Sequence, residues 1–130
     1  MIEFRLNGNS GVSPYQQIVQ QVKNALRLGR LRIGDQLPTV KDVATGLAIN
    51  PNTVLKAYRE LEYQGLVAAR PGRGTFVTGT LSGSSLAAYE PLRRDLRRWL
   101  DRARRAGLEE ESIEALFLST FRSASEEDIA

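Results

Sequence analysis

The 130-residue chain has no cysteine and no histidine. Without cysteine there are no disulfides, thiolate metal sites or sulfur nucleophiles, which fits a reducing compartment. Without histidine the commonest general base, the Ser-His-Asp arrangement and the commonest metal ligand are also gone. An enzyme built from this chain would rely on carboxylates, Lys or Tyr alone, and no paired carboxylates form a recognisable constellation, so we expect a non-enzyme without metal or cofactor. No apolar run approaches the roughly 18 residues of a membrane span. The start, Met1-Ile2-Glu3-Phe4-Arg5, lacks the basic-then-apolar pattern of a secretory signal. These absences point to a cytoplasmic protein that acts by binding.

What is present is charge, unevenly distributed. Residues 1–80 carry 10 basic and 5 acidic side chains, residues 81–108 carry 7 and 3, and residues 109–130 carry 1 and 7. Two basic segments followed by an acidic end suggest a polyanion-binding part and a separate terminus.

Periodicity supplies the architecture. Residues 1–12 read as a short extended arm. Ser13 is a candidate helix cap with Pro14 in the first helical position. Tyr15, Ile18, Val19, Val22 and Leu26 then fall on one helical face, with Gln16, Gln17, Gln20, Lys23 and Arg27 on the other. A connector, Leu31 to Pro38, leads to Thr39, a second cap with Asp42 three residues on. The short helix that follows points Val40, Val43, Ala44 and Leu47 inward. A third helix starts at Asn50-Pro51 and buries Val54, Ala57, Tyr58 and Leu61, with Gly65 as its stop. Leu66–Ala69 and Thr75–Thr78 read as strands joined by the loop Arg70-Pro71-Gly72-Arg73-Gly74. Beyond a linker at 80–85, a helix over roughly Leu86 to Ala106 and another over Glu110 to Arg122 precede an acidic tail expected to fray.

The fold class is therefore mainly α with a small β-hairpin. Residues 1–79 form a winged helix-turn-helix, and residues 86–130 a two-helix segment. In such a domain the third helix enters the major groove, about 12 Å wide, and the wing lies over a neighbouring phosphate strand or the minor groove. The outward face of that helix carries Asn52, Thr53, Lys56 and Arg59. Asn suits adenine, Thr suits a phosphate or a thymine methyl, and Lys and Arg supply charge. Gly72 and Gly74 serve the hairpin through positive φ and also permit close approach of DNA.

Five blocks in order resemble the DNA-binding domain of GntR-family transcription regulators. They are Leu37-Pro38-Thr39-Val40-Lys41-Asp42-Val43-Ala44, Ile49-Asn50-Pro51-Asn52-Thr53-Val54, Ala57-Tyr58-Arg59-Glu60-Leu61-Glu62, Gly65-Leu66-Val67 and Arg73-Gly74-Thr75-Phe76-Val77. The short two-helix end resembles the YtrA subfamily. The resemblance implies a repressor that binds an inverted-repeat operator as a homodimer and controls a transporter operon. Carried over by position, the DNA contacts are Lys41, Pro51, Asn52 and Thr53, with Gly72, Arg73, Gly74 and Thr75 in the wing. Thr39, Lys56, Arg59 and Arg70 complete the candidate surface, Arg70 being equally readable as a solvated strand residue. The family commonly has Arg where this chain has Lys41, which keeps the charge but loses the bidentate fork that reads guanine.

In the carboxy-terminal segment Leu92, Leu96, Trp99, Leu100 and Ala103 form one stripe, and Ile113, Leu116, Phe117 and Phe121 another. One isolated helix does not bury such a stripe, so we expect dimerisation through Leu92, Leu96, Trp99, Leu100, Ala103, Ile113, Leu116 and Phe117. Trp99 suits either the interface or the intrachain core. The arginines from Arg93 to Arg105 are read as a solvated face paired with Glu109, Glu110, Glu111 and Glu114, not as a second DNA surface. A small-molecule effector of unknown identity is a further expected partner. From another class, a winged-helix protein-interaction module remains the alternative, favoured only by an acidic or apolar third-helix surface.

Overall fold

The computed structural model describes residues 1–81 and 86–129. The chain divides into two units, Met1–Leu86 and Ala87–Ala130. The first holds helices α1 (Pro14–Arg27), α2 (Val40–Leu47) and α3 (Pro51–Tyr63), then strands β1 (Val67–Arg70) and β2 (Gly74–Val77). The second consists of α4 (Leu86–Arg105) and α5 (Glu110–Ile129).

The core of the first unit forms where the apolar faces meet around α3, which packs on α1, α2 and β1. Val54, Ala57, Tyr58 and Leu61 are all buried, as their spacing predicts, and they meet Ile18, Val22 and Leu26 of α1 and Val43 and Ala44 of α2 in one cluster. Fully burying a side chain of this size stabilises by roughly 1.5–3 kcal/mol. Val40 and Leu47 pack against the same cluster only partly buried, because α2 has just two turns and both lie at its ends.

The caps divide between expected and unexpected. Thr39 Oγ1 accepts from the Asp42 amide at 3.1 Å, and Asn50 Oδ1 accepts from the Asn52 amide at 2.8 Å. Each satisfies one of the amides that a helix start leaves without a partner. Ser13 occupies the cap position of α1, but its hydroxyl donates to Gln16 Oε1 at 3.1 Å and its side chain accepts from no first-turn amide. Gln17 also departs from its assignment to the open face. Its amide group accepts from the Asn7 amide at 2.8 Å and donates to the Asn7 carbonyl at 3.0 Å, while Gln21 does the same for Arg5. Two glutamines on α1 thus stand in for a neighbouring strand and hold the extended arm, whose Phe4 is buried in the core.

The hairpin pairs Val67 with Val77, Ala68 with Phe76, Ala69 with Thr75 and Arg70 with Gly74, antiparallel. Both strands sit one residue from their expected bounds, since Arg70 and Gly74 close the ladder instead of lying in the loop. Gly72 has φ 73° and follows Pro71, and the Arg73 amide donates to the Arg70 carbonyl at 3.0 Å. Pro then Gly at the two central positions is the signature of a type II turn. The connector before α2, which the sequence presents as mere chain with an apolar spine, adds a third strand-like run. The Leu37 amide donates to the Thr75 carbonyl and the Val77 amide to the Asp35 carbonyl, each at 2.8 Å.

Of the expected linker, Ser82–Ser85 lie outside the described residues, whereas Leu81 packs against the first unit's core. In the second unit, Gly107 at φ 90° ends α4 as its position predicts. α5 does not stop at Arg122. It continues to Ile129, because the segment after Gly107 contains neither Gly nor Pro to end it; within it the Ser125 hydroxyl donates to the Phe121 carbonyl at 3.0 Å. Among the described residues only Arg104 makes one of the expected pairs, with Glu110 at 3.2 Å. Arg93 and Arg98 turn instead to Glu90 and Asp95, three residues away on their own helix, where the shorter reach favours them. Ala103 and Ile113 are buried, Trp99 and Leu100 half-buried, and Leu92, Leu96, Leu116 and Phe117 exposed.

Two positions in the first unit make testable claims. The Tyr58 hydroxyl donates to the Pro38 carbonyl at 2.6 Å, tying α3 to the entrance of α2. Burial pushes its phenol well above the ordinary value of 10.0. A folded-state value above the unfolded one gives stability that is full below the unfolded value and declines as pH rises above it. Tyr58→Phe is expected to cost about 1–2 kcal/mol at neutral pH by stranding that carbonyl. Its deficit against the parent should shrink above about pH 10, where the unfolded phenol ionises; denaturant melts across that range check this. Ala48, the C-cap of α2, lies at φ 54°, a left-handed conformation that costs an L side chain roughly 1–2 kcal/mol. Ala48→Gly should therefore raise stability by about 1 kcal/mol, and a thermal midpoint that falls would refute that account.

Candidate nucleic-acid interface

The surface opposite the α3 core face follows from helical geometry. At 100° per residue, Asn52, Lys56 and Arg59 lie within one narrow arc directly away from Val54, Ala57, Tyr58 and Leu61. All three are exposed, and Thr53, one step round, is half-buried. No acidic residue stands in the first turn of α3, whose carboxylates, Glu60 and Glu62, belong to its C-terminal half. The positive end of the helix dipole is therefore left uncompensated on the same surface as the basic side chains, an arrangement suited to phosphate.

The side chains around this arc have defined tasks. Asn50 spends its side-chain oxygen on the Asn52 amide, so it acts as a cap while the Asn52 side chain stays free. Pro51 starts the helix and is exposed. The Lys56 ammonium sits 4.0 Å from the centre of the Tyr15 ring, a cation–π contact that steadies the long side chain and leaves it exposed at the surface. Tyr15 supports the site without having been assigned to it, because its place on the α1 apolar face marks it for the core. Thr39 and Lys41 are exposed at the start of α2. The Thr39 oxygen accepts from Asp42, and its hydroxyl proton is left to donate outward.

The wing adds a second basic surface. Arg70, Gly72 and Arg73 are exposed, while Gly74 and Thr75 are half-buried. The Arg70 guanidinium lies 5.3 Å from the centre of the Phe76 ring, so it stacks along the hairpin. Thr39 lines a shallow, open hollow together with Ala69, Arg70, Pro71, Gly72, Arg73, Gly74 and Thr75. The structure thus brings the start of α2 and the wing to one continuous surface, although they are far apart in sequence. Gln36 is the residue that sequence reasoning missed: its side-chain amide donates to the Arg73 carbonyl at 3.0 Å. Nothing in local periodicity marks an exposed connector glutamine as a partner for a loop 37 residues later. Tyr63, 88% exposed at the end of α3, continues the Asn52–Lys56–Arg59 arc by one further turn.

The second unit places its expected interface residues at two levels. Leu92 is 65% and Leu96 45% exposed on α4, and Leu116 and Phe117 are 46% and 43% exposed on α5. Phe117 stacks on Phe121 with ring centres 6.0 Å apart. Among the described residues, no helix is long and apolar enough to cross a membrane.

Comparison with known proteins agrees with this geometry. Residues 14–77 match the bacterial regulatory proteins of the gntR family. Over 75 residues the chain is 41% identical to the HTH-type transcriptional repressor YtrA of Bacillus subtilis (strain 168), a match that covers 58% of this chain and 58% of that protein. A solved structure described as a transcriptional antiterminator from Listeria monocytogenes EGD-e is 32% identical, with 92% of this chain and 90% of that one covered and a TM-score of 0.57. YtrA from Sulfolobus acidocaldarius, a GntR-family transcription factor, is 28% identical, with 77% of this chain and 95% of that one covered and a TM-score of 0.55. The chain spans between 52% and 62% of the length of the first curated relatives it matches. Matched blocks, winged architecture and the short helical end agree, and the chain belongs to the GntR family of bacterial regulatory proteins, among its YtrA-like members.

Proposed function

We propose that this chain is a sequence-specific DNA-binding transcription regulator, a cytoplasmic repressor that binds an inverted-repeat operator as a homodimer. The observation that carries this reading is the α3 arc. A helix buried on one side by three neighbours presents Asn52, Lys56 and Arg59 on the other, with no carboxylate at its start. That surface is neither acidic nor apolar, which speaks against a protein-interaction module.

The contacts divide by chemistry. Asn52 and Thr53 face base edges, because they lie in the N-terminal turn of the helix that enters the major groove. Lys41, with one ammonium and no fork, suits a phosphate, as do Thr39, Lys56 and Arg59. Arg70, Gly72, Arg73, Gly74 and Thr75 form the wing that tracks a neighbouring backbone. Dimerisation rests on Leu92, Leu96, Trp99, Leu100 and Ala103 of α4 and Ile113, Leu116 and Phe117 of α5. A two-fold pair of reading heads then matches a palindromic site. Repression is the role named for the Bacillus relative, and a transporter operon remains the target implied by the subfamily.

Selection of bound duplexes from a random pool is expected to return a palindrome. On that duplex, Asn52→Ala or Thr53→Ala should weaken binding by roughly 1–3 kcal/mol while the thermal midpoint holds. Affinity should fall steeply with salt, because phosphate neutralisation releases counterions. Salt-insensitive binding, or equal affinity for random duplex, defeats the proposal, and preference for a structured RNA over every duplex would redirect it to RNA.

A charge placed in the exposed stripe tests the dimer separately. Leu96→Glu or Leu116→Glu should yield a folded monomer in sedimentation. A parent that already sediments as a monomer rules the homodimer out.

A further inference from the structure

The wing differs from a free hairpin in how its tip is held. The connector Gly34–Leu37 runs antiparallel to β2, with Gln36 bridged to Phe76. Its ladder bonds are Gly34 amide to Val77 carbonyl at 2.9 Å, Val77 amide to Asp35 carbonyl at 2.8 Å and Leu37 amide to Thr75 carbonyl at 2.8 Å. An antiparallel ladder repeats every two residues. The next rung would pair the Thr39 amide with the Arg73 carbonyl. Thr39 is instead the N-cap of α2, so the chain has already turned away and the rung lacks its donor. The Gln36 side chain fills that gap, with Nε2 donating to the Arg73 carbonyl at 3.0 Å.

The same side chain lies directly on Gly74. A Cβ built there falls 2.6 Å from Gln36 Nε2, and Gly74 has φ 121°, which L side chains rarely adopt. Glycine at 74 and glutamine at 36 are therefore one device. The glycine leaves the space that the amide group occupies, and the amide group fixes the carbonyl one residue earlier. Gln36 is exposed and its neighbour Leu37 is buried, so the backbone at 36 is anchored while the side chain remains free to perform this single task.

We infer that Gln36 is a positioning residue for DNA binding: its side-chain amide takes the place of a missing backbone rung and locks the wing tip that presents Arg70 and Arg73. The inference rests on the DNA-binding function proposed above. Its physical content is preorganisation, since a tip already fixed loses less conformational freedom when it meets a phosphate strand. Gln36 acts through the wing and touches no base or phosphate itself.

The test uses Gln36→Met, which keeps the length of the side chain and its lack of charge but removes the donor. Three results are expected in the full chain. The thermal midpoint stays near that of the parent. Amide exchange at Gly72, Arg73 and Gly74 quickens while that of α3 is unchanged. Affinity for the selected duplex falls about three- to tenfold, the cost of ordering on binding a tip that the parent already holds fixed. In a background lacking both wing arginines, Arg70→Ala with Arg73→Ala, Gln36→Met should then weaken binding no further, because the groups it positions are gone. A merely structural role would instead lower affinity equally in both backgrounds. Equal loss in both backgrounds, or wing amides that exchange as in the parent, overturns the inference. If the parent binds no duplex at all, the proposed function fails, and the exchange measurement alone decides whether Gln36 holds the wing.

Discussion

Everything in the first unit depends on the burial of one side of α3. Val54, Ala57, Tyr58 and Leu61 lie against α1, α2 and β1, and this packing fixes the rotation of the helix about its own axis. A rotation of one residue, 100°, would carry a charged side chain into the core at a cost far above the worth of any surface contact. The outward arc is therefore set by the inward one. The direction in which Asn52, Lys56 and Arg59 point is a consequence of hydrophobic packing on the far side. The Tyr58 hydroxyl extends that control to α2 through the Pro38 carbonyl, so the same buried side chain sets the helix and the approach to its neighbour.

The helical part of this arrangement was legible in the sequence because helix caps and 3.6-residue periodicity are local signals. Thr39 and Asn50 cap as their residue types predict, and the α3 core residues are the ones that the spacing selects. What escaped was non-local. Gln17 reads as a solvent-facing residue and Gln21 is marked by nothing in the pattern, yet each satisfies backbone groups of an arm ten or more residues away. The connector pairs with β2, but an apolar spine of Leu31, Ile33 and Leu37 does not announce a strand partner some 40 residues on. Side-chain amides are hard to place from pattern alone, since they carry both a donor and an acceptor and suit open surface and backbone mimicry equally well.

The second unit shows the opposite limit. Its stripe was visible, and the burial of Ala103 and Ile113 fits a local core beside the turn between α4 and α5. The acidic end misled, because composition suggested fraying where helix-forming residues continue α5. Charge proportion reports on solvation, whereas helix continuation depends on the absence of a breaker, and after Gly107 this chain has none. The arginines of α4 likewise choose partners by reach. Acids three residues earlier on the same helix are closer than those of the next one, so among the described residues most of the expected pairs between the helices do not form.

The candidate site also shows how few side chains are spent twice. Asn50 commits its side-chain oxygen to the cap. Asn52 gives only its backbone amide to the cap and keeps its side chain. Thr39 accepts with its oxygen and retains a proton to donate. Lys56 leans on Tyr15 without losing its charge or its exposure. The proposed reading head is assembled without a buried charge, and the described residues contain no buried side-chain polar atom without a partner. Its specificity then derives from fixing backbone and side chain with neighbours that do not themselves face the nucleic acid. On the proposed function, Tyr15, Gln36 and Tyr58 hold in place the groups that meet the nucleic acid without meeting it themselves.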